Sequence, residues 1–554
     1  MTRYLYNPLE QGRTKPFFSY MKRTTRGPLS HPDLEDINSA PDTFNKYFQS
    51  VFNPVGKASI DIPCPLVSPV KITSNGVAKL LINLKAGKAP GPDGLKKEHL
   101  TIDVDMVARA LELLFQYSLD TGEIPSIWRS ANVVPVHKKG DKLSPSNYRP
   151  VSLTCICCKI LEHIIISNIG VDFDEVLHDH QHGFRQGMSC TTQLATVTHD
   201  IMSKVDAGQE VHAVVLDFAK AFDKVTHNIL IEKLASYHIE PTVIRWIGSF
   251  LEDRTQQVVI DGRTSSPLPV TSGVPQGSVL GPALFLFFIN DIFRATKTAT
   301  LRLFADDALL YMTIHQPYDA AIFQSEINQL DDWATRNGMA FNSNKCQVVR
   351  FSVGKAATNP MVYKLRGHTL NNTDQFKYLG VTITNKFKWD AHVNEITNKG
   401  LQRLGMLRRV LYRAPIKVKR TAYLSLCRPI IEYAGEVWDP HTKKLIDQLE
   451  MVQRRAVRFI YNLKGVASIT SYREKLCLDT LEDRRRNARI SLLHHLLESG
   501  LHSSLAAYFD RLVHQNHSHM TRSASQSKPS ALSASHDFLH FSFIHRTSRD
   551  LRLL

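Results

Sequence analysis

The segment VHAVVLDFAKAFDKV, residues 211–225, restricts the possible fold more than any other part of the chain. Val211 to Leu216 is an apolar run typical of a buried strand, and Asp217 stands at its end. An ionised carboxylate at the mouth of a hydrophobic strand is unfavourable unless positive charge compensates it. Two readings stay open: Asp217 caps a helix formed by AKAFDKV, or it serves a cationic ligand. The segment LRLFADDALLY, 301–311, has the form of a β-hairpin with Asp306 and Asp307 at its tip. Asp-Asp turns between strands are common. Adjacent side chains on a regular strand also point to opposite faces, so turn geometry decides how far Asp307 contributes. Taken together, the three carboxylates sit on strand ends from separate parts of the chain. Hard divalent cations such as Mg²⁺ take oxygen ligands of this kind and keep room for substrate phosphates. A pair of such ions, about 3.5–4 Å apart, activates an attacking hydroxyl and stabilises a leaving pyrophosphate. Phosphoryl transfer asks the protein mainly for positioning and charge.

Charge balance points the same way. Across 554 residues, 68 Lys and Arg against 52 Asp and Glu leave a net charge of +16, which favours a polyanionic partner such as nucleic acid. A merely soluble basic protein is the plainer alternative. The 43% hydrophobic and 9% aromatic content is that of a globular protein, and the length implies several subdomains. Eight cysteines suggest no disulfide framework. Cys155, Cys157 and Cys158 lack a second ligand pair at zinc spacing, so they read as buried small hydrophobes, as do His178, His180 and His182 as core residues. The N-terminus has no apolar signal core, and the strongest apolar stretch, Ala283 to Ile289, is too short to span a bilayer. The expectation is a soluble intracellular protein with no membrane partner, in cytoplasm and nucleus.

Residues 1–70 read as a leader or linker, docked by the amphipathic piece FNKYFQSVF at 44–52. Helical periodicity spans Ile72 to Leu84 and roughly 104–119, and from about 128 to 385 short apolar strands alternate with helices in an α/β or α+β pattern. After Lys386 the texture becomes helical and basic: Val393, Ile396, Leu404, Leu407 and Leu411 share one face of 391–412, with Lys399, Arg403, Arg408 and Arg409 on the other. This region runs to about 500 and includes MVQRRAVRFIY. Residues 501–554, rich in Ser and His, read as a flexible tail.

LDFAKAFDKV, GVPQGSVLGP and FADD, in that order, resemble the motifs of reverse transcriptases, particularly those of non-LTR, jockey-like retrotransposons. The likeness extends in order through KAGKAPGPDG, NVVPVHKKGD, NYRPVSLT, QHGFR, FNSNKCQVV and KYLGV, about 300 residues in all. It implies a right-hand polymerase of α+β class: fingers and palm over 71–385 with an antiparallel palm sheet, and a helical thumb over 386–500. It makes Asp217, Asp306 and Asp307 metal ligands for two Mg²⁺ ions, with Mn²⁺ as a substitute and the carbonyl of Phe218 as a further ligand. Phe222 falls where the family has a steric gate against a 2′-hydroxyl; a core-packing Phe is the other reading. Gln276, in Gly273–Gly277, resembles the loop that shapes the nucleotide pocket, against a plain turn before the hydrophobic helix 279–290. Arg149 and Lys138 look like the pair that grips the triphosphate, although Lys139 is not separable from Lys138 and either could belong to a solvated loop. Lys345 matches a proposed acid for the leaving pyrophosphate, and Tyr378, Leu379 and Gly380 resemble the turn that grips the primer end. The basic helices after 390 would track a duplex backbone.

The activity so implied is RNA-directed DNA synthesis from deoxynucleotides, on an RNA template with a DNA primer and an RNA–DNA hybrid product. The nuclease domain usual in such elements is expected to be missing, because residues 1–70 are too short for one and no cysteine-histidine knuckle or acidic nuclease cluster follows. A catalytically decayed or domesticated RNA-binding copy, and an RNA-templated RNA polymerase, are the rivals, with a group II intron maturase as the nearest relative to exclude. No phosphate-loop pattern is present, which argues against a helicase or kinase.

Overall fold

The computed structural model describes residues 39–54, 68–169, 173–354, 361–463, 468–498 and 534–552. Its centre is a sheet whose middle strand, Glu210–Asp217, pairs antiparallel with Asp307–Ile314 on one side and Gln347–Phe351 on the other. Thr300–Phe304 closes the first edge through a hairpin, and the short Asn371–Asn372 strand runs parallel at the second. Side chains alternate across this sheet as strand geometry requires. Val214, Leu216, Ala308 and Leu310 face one core, which contains the helices Leu280–Ile289 and Pro317–Arg336. Ala213, Leu309, Tyr311, Val349 and Phe351 face a second core, shared with the helices Cys190–Asp206, Asp390–Val410, Ile416–Leu426 and Lys443–Tyr461. A sheet buried on both faces explains why Ala213 to Leu216 is apolar without alternation.

Leu280–Ile289 is apolar all round and therefore fully interior. Its N-terminus is met by the buried Glu162 carboxylate, which accepts the N–H groups of Val279 (2.7 Å) and Leu280 (3.0 Å). That places a negative charge at the positive end of the helix, and it fixes the start of the helix behind the GVPQG loop.

A second sheet joins Tyr148–Leu153, Ser130–His137 and Thr255–Ile260. The helix Ala40–Ser50, at the position of the amphipathic piece read in the sequence, packs Phe44 and Phe48 against Val133, Tyr148 and Val258 of this sheet. Its buried Asn45 donates through Nδ2 to Ser265 Oγ (2.9 Å) and to the Ser266 carbonyl (2.8 Å).

The C-terminal region differs from expectation. The helices Asp537–His540 and Phe543–Arg552 are packed, with Leu539, Phe543 and Ile544 buried in the second core. The segment DFLHFSFI supplies the apolar side chains that a flexible tail would lack. Asp206 also accepts the Ser535 and His536 N–H groups. The Ser/His-rich stretch between 499 and 533 lies outside the described residues, as does most of the leader. Among the described residues, no helix is long and apolar enough to cross a membrane.

Candidate active site

The strand register brings two of the acidic residues together: Asp217 is the direct cross-strand partner of Asp307. Directly opposed residues share a face with Cβ atoms about 4.5–5.5 Å apart, and both continue the row facing the second core. Asp306 sits in the two-residue turn between Phe304 and Asp307, after Ala305 at φ 55°. That left-handed backbone is unfavourable for a residue with a Cβ. It is held from outside by Gln181, whose Oε1 accepts the N–H groups of Ala305 (2.8 Å) and Gly183 (2.9 Å).

Asp217 does not cap a helix. The chain leaves the strand through Phe218, which bridges to Phe341, and passes Lys220 at φ 56° into the single turn Ala221–Asp223. The bridge uses the Ala219 N–H and the Asp217 carbonyl, so it leaves the Phe218 carbonyl out of the pairing. The Asn342 N–H donates to the Asp217 carbonyl (2.7 Å), and this brings the next loop alongside. Lys345, on that loop, pairs its ammonium with Asp217 Oδ2 at 2.9 Å.

Burial first, and then the charge of Asp217, raises the Asp306 carboxyl, while Lys138 and Arg149 pull it back down. Desolvation, followed by the charges of Asp306 and Asp217, pushes Asp307 up to about 6. Three carboxylates thus repel one another with one ammonium among them. Among the described residues, no set of three His, Cys, Asp or Glu side chains is gathered tightly enough to hold an ion as it stands. The donors nevertheless fit a hard divalent cation: they are all oxygens, and the excess negative charge is what such an ion would relieve.

Basic residues from the second sheet reach the same place. Lys138 is lowered by burial and then by the charges of Lys220 and Arg149, with Asp223 opposing.

Phe222 is half-buried, stacked on Phe285 (centroids 4.4 Å apart, planes at 18°) and meeting the exposed Phe184 edge-on at 6.2 Å. It is therefore anchored to the core by one face, and it belongs to both readings given above. Gln276 donates through Nε2 to Asp223 Oδ1 at 2.8 Å, and its carbonyl accepts the Ser152 N–H at 2.8 Å. The loop is pressed tightly onto its neighbours. A Cβ on Gly273 would come within 2.8 Å of Asp223 Cα, and one on Gly277 within 2.4 Å of the Ser152 carbonyl oxygen, which is why both are glycine.

Tyr378, Leu379 and Gly380 do form a turn. Leu379 (φ 44°) and Gly380 (φ 87°) join the antiparallel strands Gln375–Tyr378 and Val381–Thr384. The Tyr378 side chain faces inward. It is buried, and its hydroxyl accepts from Gln193 Nε2 at 3.1 Å, so the exposed part of the turn is the backbone of the next two residues. Tyr433 donates to the Leu379 carbonyl at 3.0 Å.

Sequence reasoning missed Asp223, Gln181 and Glu162. Asp223 is buried, and burial raises its carboxyl, while Gln276 and three nearby lysines lower it. Its position inside LDFAKAFDKV was the available signal for Asp223, and the QHGFR block was the signal for Gln181.

The geometry defines an acidic, oxygen-lined site at the end of an antiparallel sheet, with an ammonium paired to one of its carboxylates. Residues 136–383 match the reverse transcriptase (RNA-dependent DNA polymerase) family, and the chain thus carries a reverse transcriptase domain. Its relatives are of the non-LTR, LINE type. The chain is similar to a probable RNA-directed DNA polymerase from transposon BS of Drosophila melanogaster, at 30% identity over 450 residues, covering 78% of this chain and 50% of the relative. It is also similar to the RNA-directed DNA polymerase from mobile element jockey of the same species, at 28% identity over 431 residues, 75% of this chain and 47% of the relative. A third relative, from transposon X-element, is 26% identical over 482 residues, 85% of this chain and 51% of the relative. The chain spans about half the length of the curated relatives it matches.

Proposed function

We propose that this chain catalyses RNA-directed DNA synthesis, adding deoxynucleotides to a primer 3′-hydroxyl on an RNA template during retrotransposition. The observation that carries the reading is the pairing of Asp217 with Asp307 beside Asp306, at the one end of the sheet where Lys138 and Arg149 are felt electrostatically. In this reading the carboxylate sheet is the palm and the strands Ser130–His137 and Tyr148–Leu153 belong to the fingers. The helices from Asp390 onward are the thumb, with the exposed Lys399, Arg403, Arg408 and Arg409 facing a duplex.

Asp217, Asp306, Asp307 and the Phe218 carbonyl would hold two magnesium ions, or manganese in their place, which supply the charge that activates the hydroxyl and steadies the pyrophosphate. Lys138 and Arg149 orient the triphosphate, Arg through its planar fork and Lys as a point charge. Gln276 and Phe222 bound the sugar, and the ring of Phe222 excludes a 2′-hydroxyl. Lys345, already among the carboxylates, delivers a proton to the leaving pyrophosphate. The backbone of Leu379 and Gly380 supports the primer end. A nuclease that generates this end is part of the reading and lies outside the residues assigned here. Work in both cytoplasm and nucleus follows from the same life cycle.

Primer extension on a primed RNA template with Mg²⁺ tests the proposal. Deoxynucleotide incorporation is expected. Absence of product alongside normal template binding would favour an RNA-binding remnant, and a preference for ribonucleotides would favour an RNA polymerase.

A further inference from the structure

Residues 39–54 end in a knot of hydrogen bonds at Asn53. Its Nδ2 donates to the carbonyls of Lys224 (2.8 Å) and Gly338 (2.9 Å) and to Thr226 Oγ1 (3.2 Å). Its Oδ1 accepts from Lys224 Nζ at 3.1 Å. Its backbone is engaged as fully: the N–H donates to Ser272 Oγ (2.7 Å), and the carbonyl accepts from Thr271 Oγ1 (2.6 Å). One residue thus ties together three places: its side chain joins the segment after Asp217 to the end of the Pro317–Arg336 helix, and its backbone holds the approach to the GVPQG loop.

The contacts continue inward. Ser272 Oγ donates to the Asp223 carbonyl at 2.7 Å, and the carboxylate of the same Asp223 receives Gln276 Nε2. Independently, Tyr47 presents its ring to Lys220 Nζ at 5.1 Å, within cation–π range. Phe48 and Phe52 from the leader share a small cavity with Ser152, Asp223, Ser272 and Gln276.

We infer that the leader segment is a positioning element of the nucleotide pocket, in which Asn53 sets the orientation of the Gln276 carboxamide through Ser272 and Asp223. The inference rests on the proposed reading of Gln276 as part of that pocket. With Nε2 committed to Asp223, the Gln276 carboxamide has its rotamer fixed and Oε1 left as the acceptor for a sugar hydroxyl. A preoriented acceptor adds to nucleotide affinity because its ordering has already been met in folding. None of these residues is among those assigned above to the primer end or the duplex.

The test compares the full chain with Asn53→Ala, Asn53→Asp and Ser272→Ala, using Ser50→Ala, at the end of the preceding helix, as a control. Steady-state primer extension is expected to raise KM for the deoxynucleotide about tenfold in the first three. KM for the primer–template should stay within about twofold. Asn53→Asp keeps the volume and loses the amide donor, so a near-normal KM there would mean that Asn53 only fills space, and the inference would be overturned. Equal shifts in both KM values, or none, would overturn it as well. Hydrogen exchange across 271–278 provides a readout that does not need product. Faster exchange confined to that loop and to 222–226 supports the inference even if the wild type proved inactive, which would count against the polymerase reading alone. Unchanged exchange overturns the inference.

Discussion

Two regions of this molecule concentrate charge, and they handle it in opposite ways. At the end of the central sheet, burial and the charge of Asp217 raise the carboxyl of Asp306, burial and the charges of Asp306 and Asp217 raise that of Asp307, and Lys345 pairs with Asp217 from a largely exposed position. Beneath the C-terminal helices, Asp439 is almost wholly buried and is met by Arg485 (2.6 Å), Arg489 (3.1 Å) and Arg546 (3.1 Å), with Asp550 answering Arg489 in turn. The second cluster is compensated within the protein, as a structural network must be if removing one partner is to be so destabilising. The first is left short of positive charge. A fold retains such a deficit where something external is to relieve it, and this contrast, more than the presence of acidic residues, marks the site.

The contrast is easiest to break with single carboxylates. Asp306→Asn should reduce deoxynucleotide incorporation on the order of 10³-fold or more while leaving template binding and thermal stability at or above wild type, since it removes a repelling charge. Substantial residual synthesis would take Asp306 out of the chemistry. Asp439→Ala should do the reverse. It leaves the buried Arg485 without its carboxylate and the buried Arg489 with Asp550 alone, beside the half-buried Arg546, and is expected to lower unfolding stability by about 3–4 kcal/mol, measured by denaturant melts; a neutral result would mean that the arginines find water. Phe222 sharpens the comparison, because it lies between core and site. Phe222→Ala should lower discrimination against ribonucleotides on the order of 10- to 100-fold, read from competing substrates. A loss of stability with unchanged discrimination would assign the ring to packing on Phe285 alone.

The same contrast explains what was legible beforehand. Asp217, Asp306 and Asp307 stood out because a carboxylate ending an apolar strand violates a local rule, and local violations are visible in one dimension. The helix Val104–Thr121 followed from periodicity, and Leu280–Ile289 from an unbroken hydrophobic run. The pairing of Lys345 with Asp217 and the knot at Asn53 join residues more than a hundred positions apart; no local pattern encodes them. Tyr378 was readable as part of a turn, but which way its ring faces depends on Gln193, on a distant helix. The tail was misjudged because its Ser/His-rich composition outweighed a short apolar segment, DFLHFSFI, whose burial depends on a core assembled from residues before 500.

Acid response gives the smallest effect and probes the side of the hairpin away from the carboxylates. His182 is buried against the strand that carries Phe304, with Nδ1 3.1 Å from Thr192 Oγ1. Burial, reinforced by the charges of Arg302 and Arg185, lowers it to about 3. A base whose folded pKa lies below its unfolded value near 6.5 is neutral in the fold and charged in the unfolded chain as the pH falls between the two. The stability it supports is therefore complete above about pH 6.5 and is lost progressively toward pH 3. His182→Gln keeps a hydrogen-bonding side chain and removes the titration, so the fall in unfolding free energy between pH 7 and 5.5 should shrink by about 1 kcal/mol relative to wild type. If the two profiles run parallel, His182 takes up its proton in the folded protein as readily as in the unfolded chain. The hairpin that carries Asp306 would then be more open to solvent on this side than its packing implies.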